Sequence, residues 1–137
     1  MTAETTIGNR RDDVARVTRI VDELAFLHRL APDVVADVNV ALDEVLTNII
    51  TYAYDDARMH EIWIGFTIGE DAIEAEIVDD GSPFDPTAIP PPDRSASLSD
   101  RRVGGLGMHF VRHLMSEVAY SRAGDFNRLR LTRRWRR

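Results

Sequence analysis

Ala41-Leu42-Asp43-Glu44-Val45-Leu46-Thr47-Asn48-Ile49-Ile50-Thr51-Tyr52 is the stretch whose periodicity sets the architecture of this chain. Apolar residues recur at Val34, Val38, Leu42, Val45, Ile49 and Tyr52, the spacing of an amphipathic helix with one buried stripe. Pro32 suits the first turn, and the helix is expected to run to about Tyr54. Glu44 and Asn48 stand one turn apart on one face, which pairs a possible base with an oxygen donor for a hard metal ion. On a solvated helix such a pair is also simply a polar face.

Upstream, residues 4–8 lean towards an edge strand and Asn9 offers an N-cap. Val14, Val17, Val21, Leu24 and Leu27 keep helical spacing to about Leu30. Downstream the period changes to two. Ile62, Ile64, Phe66 and Ile68 alternate, Gly69-Glu70-Asp71 turns, and residues 72–78 return as the second strand of an antiparallel hairpin. That hairpin ends in Asp79-Asp80-Gly81-Ser82-Pro83-Phe84-Asp85-Pro86.

Residues 85–103 carry no periodic pattern, and Pro86, Pro90, Pro91 and Pro92 forbid helix. A loop of this length inside a compact domain is a lid or a disordered segment. Gly104-Gly105-Leu106-Gly107 closes it, and a helix resumes at Met108 with Phe110, Val111, Leu114, Met115 and Val118 on its buried side. Two strands near 118–122 and 127–135, joined by Gly124-Asp125, finish the chain.

The 137 residues form one expected domain, 1–137, with a net charge of −6 that argues against bulk attraction to nucleic acid or an anionic membrane. The arginines from Arg128 to Arg137 read as a solvated strand edge and end. Without cysteine there are no disulfides or thiolate metal sites. No apolar run reaches spanning length and no signal peptide appears, so the expected location is cytoplasmic. His109 and His113 lie one turn apart but lack a third metal ligand.

Asp79-x-Gly81 reads either as a tight turn or as a carboxylate that accepts a bond from an exocyclic amine such as adenine carries. The glycines at 104–107 read either as a loop end or as a phosphate cradle at a helix N-terminus. They are not a P-loop, for no Lys-Ser/Thr follows. Phe110 occupies the third-glycine position of the dinucleotide fingerprint.

In order, the chain carries Glu44-x-x-x-Asn48, a hairpin, Asp79-x-Gly81, a lid, and Gly105-x-Gly107 opening a helix. This succession resembles the GHKL (Bergerat-fold) ATPase superfamily over roughly residues 10 to 135. Within it the chain is most similar to the anti-sigma-factor serine/threonine kinases, through Pro83-Phe84-Asp85-Pro86 and the ending Asn127-Arg128-Leu129-Arg130-Leu131. The resemblance implies an α+β two-layer sandwich, a mixed, largely antiparallel sheet covered on one face by about three helices. It implies ATP and Mg²⁺, with Asn48 on the metal, Glu44 as general base and Asp79 on the adenine amine. Gly81 lets the base lie close, and Gly105, Leu106 and Gly107 cradle phosphates. Arg101 and Arg102 are placed by position and charge to reach the γ-phosphate.

Pro83 departs from a second glycine common in the superfamily, and Tyr52 from a frequent histidine. A full lid glycine pattern is also absent. No phosphoacceptor histidine hairpin is read in this sequence, so a complete histidine kinase is not expected. The resemblance implies a kinase that phosphorylates a STAS-type anti-anti-sigma partner, possible binding of a sigma factor, and a homodimer. The alternative is an ATP-gated sequestration module that transfers no phosphate.

Overall fold

The computed structural model describes residues 1–85 and 105–135. Strand β1 (Ala3–Gly8) leads through a short 3-10 turn (Arg11–Asp13) into helix α1 (Val14–His28) and helix α2 (Pro32–Tyr52). The hairpin β2 (Glu61–Ile68) and β3 (Ala72–Asp79) follows, then helix α3 (Gly105–Leu114) and the hairpin β4 (Glu117–Ala123) and β5 (Phe126–Arg134). The five strands lie in the order β1-β2-β3-β5-β4, and every pairing among them is antiparallel. The three helices and this sheet make the α+β sandwich expected. Most of residues 85–103, with Arg101 and Arg102, lies outside the described residues, as does Gly104.

Asn9 does not cap α1. Its side-chain Oδ1 accepts from His60 N–H and its own N–H donates to the His60 carbonyl, both at 3.0 Å, so it prolongs the pairing of β1 with β2. Asp13 Oδ2 instead accepts from the Gly8 N–H at 3.0 Å. Helix α1 stops where Arg29 turns left-handed (φ 55°), and Leu30 N–H closes on the Ala25 carbonyl at 3.0 Å. Pro32 then opens α2 in its first turn, where its missing N–H has no helical partner to lose.

Ile7 from β1, Ile62, Ile64 and Phe66 from β2, Ile73 and Ile77 from β3, and Leu129 and Leu131 from β5 form the inner face of the sheet. Each large side chain buried this way contributes roughly 1.5–3 kcal/mol. Against them α2 buries Val34, Val38, Ala41, Leu42, Val45, Leu46 and Ile49. The stripe is broader than one heptad seam because α2 packs on α1 and α3 as well as on the sheet. It ends at Ile49, since Tyr52 sits in the last turn and is 46% exposed.

Helix α3 begins at Gly105, three residues before the expected start, and its register buries Met108, Val111 and then Met115. Phe110 falls on the opposite side and is 51% exposed, contrary to the sequence reading. On the outer face of the sheet Arg128 pairs with Glu76 at 3.2 Å and Arg130 with Glu74 at 3.3 Å. Arg133 faces inward and bonds Asp37 of α2 at 3.0 Å.

Candidate functional site

Between the C-terminal half of α2 and the inner ends of β3, β4 and β5 lies a cavity of about 300 Å³. Its walls are largely apolar: Val45 and Ile49 of α2, Ala53 just beyond it, Met108 of α3, Leu129 of β5, and Pro83 with Phe84 after β3. The polar groups that reach it are few, namely Asn48, Asp79, Ser82, Tyr120 and Asn127, with Tyr52 at the rim. A small apolar chamber with a few convergent polar groups suits a flat heterocycle with an edge to recognise.

Asp79 forms the polar floor. Alternation along β3 turns Ile73, Ala75, Ile77 and then Asp79 inward, so a carboxylate takes the last core position of the strand. It is only 4% exposed. Its Oδ1 accepts from Gly81 N–H at 2.8 Å and from Asn127 Nδ2 at 3.1 Å. Burial pushes the Asp79 carboxyl above the usual carboxylate range, and neighbouring Asp80 acts the same way. The two N–H donors and the Arg122 guanidinium pull in the opposite direction.

Gly81 does not line the cavity. A β-carbon there would stand 2.5 Å from Ala53 Cβ and 2.8 Å from the Ala53 carbonyl oxygen, so the glycine lets the segment after β3 press on the end of α2. Ser82 N–H bonds that same Ala53 carbonyl at 2.8 Å. Tyr54 follows, its ring stacked on His60 with centroids 4.2 Å apart. Burial, with Asp79 and Asp80 nearby, raises the Tyr54 phenol. His60 lies between Asp56 (Nε2 to Oδ1, 2.7 Å) and Asp80 (Nδ1 to Oδ1, 3.2 Å).

Asn48 lies in the wall of the cavity, and its side-chain nitrogen is buried with no partner among the described residues. An orphaned buried amide is the kind of group a ligand or bound water completes. Glu44, one turn earlier, is half-buried and lies outside the cavity lining, facing α3. A side chain on Gly107 would overlap Glu44 Oε2, so the bare backbone of the first turn of α3 is what fits against this carboxylate. Gly105 and Leu106 belong to that same first turn. The helix therefore brings Glu44 and Asn48 beside the amino end of α3, where backbone N–H groups favour an anion. Arg102 lies outside the described residues.

Sequence reasoning missed Asn127, Tyr120 and Arg122. Asn127 is directly opposite Asp79 in the β3–β5 register and is 5% exposed. Tyr120 OH donates to Asn127 Oδ1 at 2.5 Å, and Arg122 Nη1 donates to the same oxygen at 3.0 Å. The available signal was phase: Asn127 alternates with Leu129 and Leu131, and a carboxamide in the core phase of a strand needs partners.

The pattern of the histidine kinase-like ATPase domain matches residues 7–133. The chain is 32% identical over 90 residues to the serine/threonine-protein kinase BtrW of Bordetella bronchiseptica, covering 66% of this chain and 63% of that one. It is 38% identical over 88 residues to the serine-protein kinase RsbW of Oceanobacillus iheyensis, covering 61% and 56%. For RsbW of Halalkalibacterium halodurans the identity is 30% over 121 residues, covering 85% and 74%. The match thus spans less than two thirds of the first two relatives. The fold also resembles the RsbU and RsbW domains of a Mycobacterium tuberculosis protein, with a TM-score of 0.61 at 18% identity over 97% of this chain and 32% of that one. A histidine kinase domain from Erythrobacter litoralis gives 0.54 at 14% identity over 90% and 60%.

Proposed function

Because the chain belongs to the histidine kinase-like ATPase family and its relatives include serine kinases of the RsbW type, we propose that it is an ATP-dependent protein serine/threonine kinase. Its proposed substrate is a STAS-type anti-anti-sigma protein, and a sigma factor is the proposed second partner of a homodimeric switch. The observation that carries this reading is the apposition of Glu44 with Gly107, beside Asn48 and a cavity floored by Asp79.

The residues present fit a magnesium nucleotide. Asp79 accepts from the base, and the apolar walls exclude water from its faces. The amino end of α3 receives phosphate oxygens, with Gly107 keeping the approach open. Asn48 would hold Mg²⁺ through its side-chain oxygen, the kind of hard donor this cation prefers. Such a metal would neutralise charge on the phosphates. Glu44 takes the proton from the attacking serine or threonine hydroxyl, which makes that oxygen the better nucleophile.

The experiment is incubation of the purified protein with Mg-ATP and its STAS partner, followed by phosphosite mapping. Phosphoserine or phosphothreonine on the partner is expected, and its absence rejects transfer. Nucleotide binding is read separately, since ATP at a hundredfold its Kd adds about 2.7 kcal/mol of stability. Glu44 lies outside the cavity lining that contains Asn48 and Asp79, and this favours a second reading in which binding outlives transfer. Glu44→Ala that loses phosphorylation but keeps ATP-dependent partner binding assigns catalysis to Glu44. An unchanged signalling output in that variant supports pure sequestration.

A further inference from the structure

The Asn127 carboxamide can face only one way. Its Oδ1 accepts from Tyr120 OH and from Arg122 Nη1, while Nδ2 faces three oxygens: Asp79 Oδ1 at 3.1 Å, the Gly81 carbonyl at 3.2 Å and the Ser82 carbonyl at 2.9 Å. Turned over, the amide nitrogen would meet a guanidinium that has no acceptor, and the amide oxygen would meet those three oxygens. Arg122 Nη1 reinforces the arrangement by also donating to the Gly81 carbonyl at 3.0 Å.

This fixed amide has a consequence for Asp79. Gly81 N–H and Asn127 Nδ2 converge on the same oxygen, Oδ1, and neither group can take a proton from it. Oδ1 is therefore held as an acceptor, and Oδ2 is the oxygen left for the occupant of the cavity. An ionised Asp79 accepts there; a protonated one donates. The charged form favours a base with an amine at that place, and the neutral form tolerates a carbonyl.

Resting on the reading of this cavity as the base pocket, we propose that Asn127, locked by Tyr120 and Arg122, is a positioning residue for base choice. By donating to Oδ1 it favours the ionised Asp79, whose Oδ2 accepts from a purine with an exocyclic amine at C6 in preference to one with a carbonyl there. Burial and Asp80 both work against the Asp79 charge, so the Asn127 N–H is one of the few contacts that sustain it, together with Gly81 N–H and Arg122. The inference uses side chains from three strands: Asp79 on β3, Tyr120 and Arg122 on β4, and Asn127 on β5.

The test is titration of the full chain with ATP and with ITP, which differ in the C6 amine and carbonyl, for the wild type, Asn127→Leu and Tyr120→Phe. The wild type is expected to prefer ATP roughly a hundredfold, the scale of a hydrogen bond to a charged group. Asn127→Leu should bring the ratio below roughly tenfold, and Tyr120→Phe, which keeps the amide but removes one of the two donors to its oxygen, should fall between. A purely structural role weakens both nucleotides together, so variants with reduced affinity and an unchanged ratio overturn the inference. If Asn127→Leu does not fold, Tyr120→Phe decides alone: an unchanged ratio overturns the inference and a reduced one supports it. A wild type that prefers ATP beside variants with its own ratio leaves the base-pocket reading standing and removes only the role of Asn127. A wild type that binds both nucleotides equally rejects base choice by Asp79, and one that binds neither rejects the pocket reading together with the inference.

Discussion

Glu44 and Gly107 meet across the junction of α2 and α3, with no room between them for even a β-carbon. Gly107→Ala therefore acts on the carboxylate more than on the fold. Alanine is favoured over glycine inside a helix by up to about 1 kcal/mol, and the flexible end of Glu44 can move aside. Thermal stability should hold or rise, while phosphoryl transfer falls roughly tenfold or more through displacement of the base. Wild-type transfer rates in this variant would remove Glu44 from its proposed role.

Asp79→Asn should separate stability from binding. Because the folded-state pKa of Asp79 is raised above 3.8, folding favours its protonated form. The sign follows: stability from this group is present at low pH and lost as pH rises through the folded pKa, where a buried charge must be sustained. Replacing the carboxylate by a neutral amide of the same shape should hold or raise the melting temperature near neutral pH. Affinity for ATP should drop roughly ten- to a hundredfold, since a bond to a charged group is worth about 1.5–3 kcal/mol. A melting curve with a parallel ATP titration checks both halves, and a clear loss of stability would contradict the assignment.

His60 gives the protein a second pH response. Its hydrogen bond to Asp56 raises the His60 pKa above 6.5, and the same bond lowers the Asp56 pKa below 3.8. The histidine contribution is complete below 6.5 and fades as pH climbs through its folded pKa. The Asp56 contribution is complete above 3.8 and fades as pH falls through its own folded pKa. Between those two limits the clasp holds best. Urea unfolding from pH 5 to 9 should show a loss on the alkaline side that His60→Gln abolishes, and identical profiles would exclude the clasp.

Arg133 should matter to the fold and not to the nucleotide. Its guanidinium ties β5 to α2 through Asp37 at 3.0 Å and Asp33 at 3.5 Å. Arg133→Met keeps the apolar stem but leaves a part-buried Asp37 unpaired, which should cost about 1–2 kcal/mol in chemical denaturation. ATP affinity should stay within about twofold of wild type, because the tie lies away from the cavity. A larger change would show that α2 transmits strain along its length.

The architecture was legible because the apolar period switches from helical to alternating at the hairpin, and because glycines and prolines mark the breaks. Where the reading slipped, the cause is geometric. By its spacing Phe110 falls on the buried side, but starting α3 at Gly105 sets Met108, Val111 and Met115 towards the sheet and turns Phe110 out. Asn9 looked like a cap until the β1–β2 pairing claimed its side chain. The Glu44 and Asn48 pair was readable from its spacing on one helix. Asn127 was not, because its partner Asp79 lies on another strand and becomes visible only once β3 and β5 are in register.

The bond from Ser82 N–H to the Ala53 carbonyl makes α2 a ruler. The turn after β3 is pinned one residue past the end of the helix, and Asn48 stands five residues earlier on the same rod. With a rise of 1.5 Å per residue, the two marks are about 7.5 Å apart along the axis. On the proposed reading, a rigid scale of this kind would set where the base end and the metal end of a nucleotide fall, whatever the length of its phosphate chain. Di- and triphosphates would then be measured alike by α2, and telling them apart would fall to groups beyond it, beginning with Glu44's neighbour across the junction, Gly107.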